Sequence, residues 1–72
     1  MTQKDDIFLI QIRLFRLAQQ RWKKTAEECE AIFTKNDINK YIATCYEEYH
    51  VQGDEANLND IEAYLQNRGV DI

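Results

Sequence analysis

Apolar residues recur with helical spacing over four stretches of this chain. The first stretch runs from about Asp5 to Lys23. Advancing about 100° per residue places Ile7, Ile10, Leu14, Leu17 and Ala18 on one stripe. Phe8, Ile12 and Phe15 form a second stripe beside it, and Arg13, Arg16, Gln20 and Lys24 form a narrow polar face. The combined apolar arc is far wider than the roughly 100° that a surface helix needs. Such a helix is expected either at the centre of the fold or shared with another molecule.

Thr25 followed by Glu28 has the spacing of a capping box, in which each side chain bonds the other residue's unpaired backbone N–H. The second helix it opens turns Ala26, Cys29, Ile32 and Phe33 inward and Glu27 and Glu30 outward. Thr34-Lys35-Asn36-Asp37 ends it, and either Asn36 or Asp37 can cap the third helix. That third helix has the cleanest period: Ile38, Tyr41, Ile42, Cys45, Tyr46 and Tyr49, which predicts one continuous element. The period lapses from His50 to Gly53, so this segment is expected to be a structural turn. Asn57 or Asn59 is expected to cap the last helix, whose inner face is Leu58, Ile61, Tyr64 and Leu65. Gly69 suits a left-handed stop after it, with Arg68 near the negative end of the helix dipole and Val70 folding back on Leu65.

The pattern predicts a single all-α domain over residues 1–72. Its architecture is a compact bundle of about four short helices with non-parallel packing, because helices two to four are too short for a long parallel bundle. The absence of proline and the presence of only two glycines agree with helices rather than turn-rich β structure. A chain of 72 residues buries only roughly 60% of its unfolded surface, so its stability margin is thin. The longest apolar run, Ile7 to Ile10, is too short to span a bilayer. Lys4-Asp5-Asp6 is no basic leader region, and no small-residue cleavage site follows. A cytoplasmic protein of bacterial type is expected, without membrane association.

Candidate chemistry is sparse. Cys29 and Cys45 fall on apolar helical faces and are expected as reduced core thiols, with a disulfide as the alternative. His50 is the only histidine, and no nucleophile is presented beside it in a recognisable catalytic setting. Glu55, Asn57 and Asn59 alternate like calcium ligands, but the glycine and the closing glutamate of an EF-hand are missing. No metal, no cofactor and no catalytic residue is therefore assigned. His50 and Gly53 are expected to shape the turn.

Charge is unevenly distributed. Residues 1–24 carry six basic and two acidic residues, whereas residues 25–72 carry three basic and eleven acidic ones. The basic segment Arg13, Arg16, Arg21, Lys23 and Lys24 is the one nucleic-acid candidate. A helix-turn-helix reading would make Ile38 to Tyr49 the recognition helix, which offers only Lys40 and ends in Glu47-Glu48. That is the wrong sign for a phosphate backbone, so nucleic acid is disfavoured as a partner.

Thr25-Ala26-Glu27-Glu28, Ile38-x-x-Tyr41-Ile42, Cys45-Tyr46-x-x-Tyr49-His50-x-Gln52-Gly53, Asn59-Asp60-Ile61-x-x-Tyr64-Leu65 and Arg68-Gly69-Val70 together resemble the small bacterial proteins grouped as domain of unknown function 3791. The resemblance covers nearly the whole chain, and its distinctive parts are His50 to Gly53 and Asp60-Ile61. It implies a short, all-helical, intracellular protein without an assigned activity. It also implies genes for an ADP-ribosyltransferase-like group nearby, and hence an accessory or antitoxin-like binding role. It supplies no catalytic residues.

The over-wide apolar arc, the charge split and the lack of a catalytic set lead to one expectation: a non-enzymatic module that binds another protein, with a homodimer as its first form. The expected contact residues are Phe8, Ile12, Phe15 and Trp22, with Arg16 at the rim. The alternative is a small nucleic-acid-associated regulator using the basic face of the first helix.

Overall fold

A computed structural model describes residues 2–72. Thr2 opens the first helix, α1 (Gln3–Trp22), through a capping box: its hydroxyl accepts from the Asp5 N–H, and the Asp5 carboxylate accepts from the Thr2 N–H. Ile10, Leu14 and Ala18 are buried, as their stripe predicts. Lys23 closes the helix in the left-handed region at φ 53°, a conformation that usually falls to glycine. Thr25 and Glu28 then form the predicted capping box at the start of α2 (Ala26–Lys35), which buries Cys29 and Phe33.

Asn36 caps the end of α2. Its amide donates to the Ile32 carbonyl at 2.9 Å and the residue is buried. Asp37, also left-handed, leads into α3 (Ile38–Thr44), where Ile38 and Ile42 reach the core. The third helix is not continuous. At Cys45 the backbone turns to φ −90°, ψ 12°, and a separate turn, α4 (Tyr46–Tyr49), follows. Two local bonds account for the break. The Thr44 hydroxyl donates back to the Lys40 carbonyl, which bends a helix. The Cys45 N–H is shared between the Tyr41 and Ile42 carbonyls, so the turn tightens. Tyr49 still reaches the core because the break changes direction without losing the apolar register.

The last helix, α5 (Asp54–Asn67), starts a turn earlier than either asparagine predicts. Gly53 is its N-cap, in extended conformation, and no side chain caps it. Asn57 is instead fully buried, and its amide donates 3.0 Å to the Tyr49 carbonyl. A tertiary bond to the end of α4 has displaced the local capping role. Asp54 and Glu55 occupy the first turn, where the helix dipole favours carboxylates. The other end is as predicted: Gly69 has φ 78°, its N–H bonds the Gln66 carbonyl, and the Val70 N–H bonds the Leu65 carbonyl at 3.0 Å. This is a Schellman closure, and Val70 packs against the core.

α1 is the hub: α2, α3 and α5 all pack on it. Leu58, Ile61 and Leu65 of α5 complete a single core with Leu14, Ile38 and Ile42. Among the described residues there is no strand, and the all-α bundle stands. No helix is long and apolar enough to cross a membrane.

Candidate functional site

The apolar arc of α1 does not all enter the core. Ile10, Leu14 and Ala18 are buried, Ile7, Ile12, Phe15 and Leu17 are half-buried, and Phe8 is 60% exposed. Phe8, Gln11, Ile12, Phe15 and Arg16 form one wall of a groove of about 360 Å³. Glu30, Phe33 and Thr34 of α2 form the facing wall, with Asn39 of α3 at the end. Its apolar floor is organised by an edge-on contact between the Phe15 and Phe33 rings, 5.2 Å between centroids. A bond from the Gln11 amide to the Asn39 carbonyl, 2.9 Å, fixes α1 against α3 at that end. The charged groups at its rim are Arg16 and Glu30.

Four of the five expected contact residues therefore share one groove: Phe8, Ile12, Phe15 and Arg16. Trp22 lies elsewhere. Its ring tilts against Phe33 at 6.3 Å on the inner side, and its indole N–H donates 2.8 Å to Glu62. It joins α1 to α5 and is half-buried.

The basic segment is also partly committed. Arg21 donates to Glu62 at 2.9 Å and to Asn59 at 2.7 Å, and pairs with Glu55 as well. Arg13 bonds Asp54 at 3.1 Å. Much of the charge split is thereby resolved within the fold, as a basic α1 lying against the acidic face of α5. Arg16, Lys23 and Lys24 make no ion pair among the described residues.

The exposed His50 ring stacks on Tyr46, 4.7 Å between centroids and 15° between planes. Nearby, Asp60 gathers two phenols: Tyr49 donates 2.6 Å and Tyr41 3.0 Å, both to Oδ2. Burial, then the hydrogen bond to Asp60, pushes both phenols well above the usual tyrosine range. Burial also raises Cys45, while its bond to Tyr41 opposes the rise. Burial pushes the Cys29 thiol up to about 11 against a smaller opposing pull from Lys24. Both cysteines are free thiols. A raised thiol pKa disfavours the thiolate that nucleophilic attack requires. Among the described residues no group of three or more His, Cys, Asp or Glu side chains is placed to hold a metal ion.

The family model described as "Protein of unknown function (DUF3791)" matches residues 11–68. The chain belongs to this family. No curated protein and no solved structure matches it. The DUF3791 match contains the capping box at Thr25, the Tyr41–Tyr49–Asp60 cluster and most of the groove; Phe8 lies outside it, on the first turns of α1.

Two features of the site were not legible from spacing alone. Phe33, counted only as core, is also the far wall of the groove. Glu30, read as an outward residue, supplies its acidic rim. Both follow from where α2 lies against α1, which a helical wheel does not contain.

Proposed function

We propose that this chain is a non-enzymatic protein-interaction module whose docking surface is the groove between α1 and α2. The observation that carries the reading is Phe8. A phenylalanine that keeps most of its surface in water, beside Ile12 and over the packed rings of Phe15 and Phe33, has the form of an interface anchor with its pocket. A small domain with a thin core also gains stability from a partner that covers such a face. Burial disfavours the thiolate at both cysteines and the His50 ring is stacked on Tyr46, so the reading invokes no reaction. An accessory or antitoxin-like role is one form of such binding.

The test is capture followed by reconstitution. A protein that co-purifies with the native chain is expected to be lost with Phe8→Glu and retained with Lys40→Glu, on α3 away from the groove. The purified pair should then reassemble at fixed stoichiometry. Binding that survives Phe8→Glu unchanged would move the function off this surface.

A further inference from the structure

The outward face of α1 carries more than apolar residues. Asp5, Phe8, Ile12 and Arg16 follow one another at steps of three, four and four, so they line one face of a helix. Asp5 lies at the first turn and Arg16 three turns later. Both are exposed, and neither makes an ion pair among the described residues. By contrast, Arg13 and Arg21, on the side of α1 that meets α5, are both paired with carboxylates. Along α1 the exposed face is therefore apolar at its middle, with the capping carboxylate of Asp5 at one end and the Arg16 guanidinium, across the groove from Glu30, at the other.

We infer that the occupant of the groove is a second copy of this chain, docked with its α1 antiparallel across the first about a two-fold axis close to Gln11. This deepens the interaction reading above and rests on it. The charge order selects the arrangement. An antiparallel register sets Asp5 of each copy opposite Arg16 of the other, making the pair twice. A parallel register would set Asp5 against Asp5 and Arg16 against Arg16. The same register brings Phe8 of each copy onto Ile12 of the other, at the mouth of the groove floored by Phe15 and Phe33. One face thus offers both the protruding ring and the recess that takes it, which is what an isologous two-fold contact requires.

Sedimentation equilibrium on charge-reversed chains tests it. The native chain should dimerise, and Arg16→Asp and Asp5→Arg should each weaken self-association by about tenfold or more. An equimolar mixture of these two variants should dimerise again, because each heterodimer regains both opposite-charge pairs. Phe8→Glu, which leaves the Thr2–Asp5 cap intact, should abolish the dimer on its own, with helicity by circular dichroism unchanged. A native chain that stays monomeric at millimolar concentration overturns the inference, as does a mixture no tighter than its components. A monomeric chain whose captured partner is still lost on Phe8→Glu would remove self-docking alone. Loss of both the dimer and any Phe8-dependent capture would remove the interaction reading with it.

Discussion

Tyr49 and Asp60 are joined across the turn between α4 and α5 by a 2.6 Å hydrogen bond, the phenol donating to Oδ2. The Tyr41 hydroxyl reaches the same oxygen at 3.0 Å, and the Tyr41 ring stacks on Tyr64 at 4.1 Å. One carboxylate on α5 therefore holds both halves of the broken third helix. A bond to a charged group contributes about 1.5–3 kcal/mol, more than the neutral bonds around it. The α3–α4–α5 corner depends on this residue more than on the histidine that marks the turn in the sequence.

Asp60→Ala should accordingly lower stability by about 2–3 kcal/mol, since it strands the hydroxyl of the buried Tyr49 as well as that of Tyr41. In a domain of this size that is a fall in melting temperature of about 10–20 °C. Asp60→Asn keeps an acceptor and should lose about half as much. His50→Ala removes only a surface stack and should cost about 1 kcal/mol. Thermal denaturation of the three variants checks the order; a His50→Ala loss equal to that of Asp60→Ala would contradict it.

The same corner sets an alkaline limit. Burial and the Asp60 bond raise the folded-state pKa of Tyr41 and Tyr49 above the unfolded value of about 10. A raised pKa means that the folded chain holds its phenol protons more tightly than the unfolded one. The resulting stability is fully present below about pH 10 and falls as pH rises beyond it. Phenolate absorbance should show these two tyrosines ionising only as the fold is lost, and Tyr49→Phe should reduce the steepness of the alkaline loss.

The parts of the fold that were legible in the sequence are those controlled locally. The Thr25–Glu28 box, the Gly69 closure and the core stripe of α1 each depend on residues within a few positions of one another. The errors lie where a distant partner prevails. Asn57 has every local property of an N-cap, yet the carbonyl of Tyr49 draws its amide inward, and the helix starts at Gly53 instead. Trp22, beside lysines at a helix end, reads as a partner contact, and the structure sets it outside the groove with its N–H given to Glu62 of α5. The groove was half legible: the α1 wall follows from periodicity, the α2 wall only from packing.

The two arginines facing α5 should behave differently. Arg13 is about half exposed and Asp54 about a third, so this screened pair is weak: Arg13→Met should cost less than about 1 kcal/mol and even less in high salt. Arg21 is about a quarter exposed and serves Asn59, Glu62 and Glu55 together. Arg21→Met leaves the Glu62 carboxylate half-buried with only the Trp22 N–H, and should cost about 2–3 kcal/mol. Denaturant midpoints at low and high salt distinguish the two.

The glycines should respond in opposite directions. Gly53 has φ −75°, ψ 159° and open space where a Cβ would stand, so nothing there requires glycine. Gly53→Ser supplies the missing side-chain cap and restricts the unfolded chain, and should stabilise by up to about 1 kcal/mol. Gly69 has equal space but φ 78°, so Gly69→Ala should cost about 1 kcal/mol through backbone strain alone. Equal and opposite shifts in melting temperature are expected; a loss at Gly53 would show that the turn requires flexibility there.

Asn57 gives the sharpest outcome. It is fully buried, its Nδ2 satisfies the Tyr49 carbonyl, and its Oδ1 has no hydrogen-bond partner among the described residues. Asn57→Asp exchanges the one donor in that site for an oxygen facing a carbonyl, and introduces a charge where nothing compensates it. The cost should be about 3 kcal/mol or more at neutral pH. Burial raises the folded-state pKa of the introduced carboxyl above its unfolded value of about 3.9. The variant is therefore closest to the native chain below that pH and falls further behind as pH rises through the folded-state value. Urea midpoints of both chains at pH 4 and pH 7 isolate the effect, because the other groups titrate equally in each. A deficit that is the same at both values would mean that the new carboxylate turns out to solvent, and that the Asn57–Tyr49 bond can be given up without opening the corner.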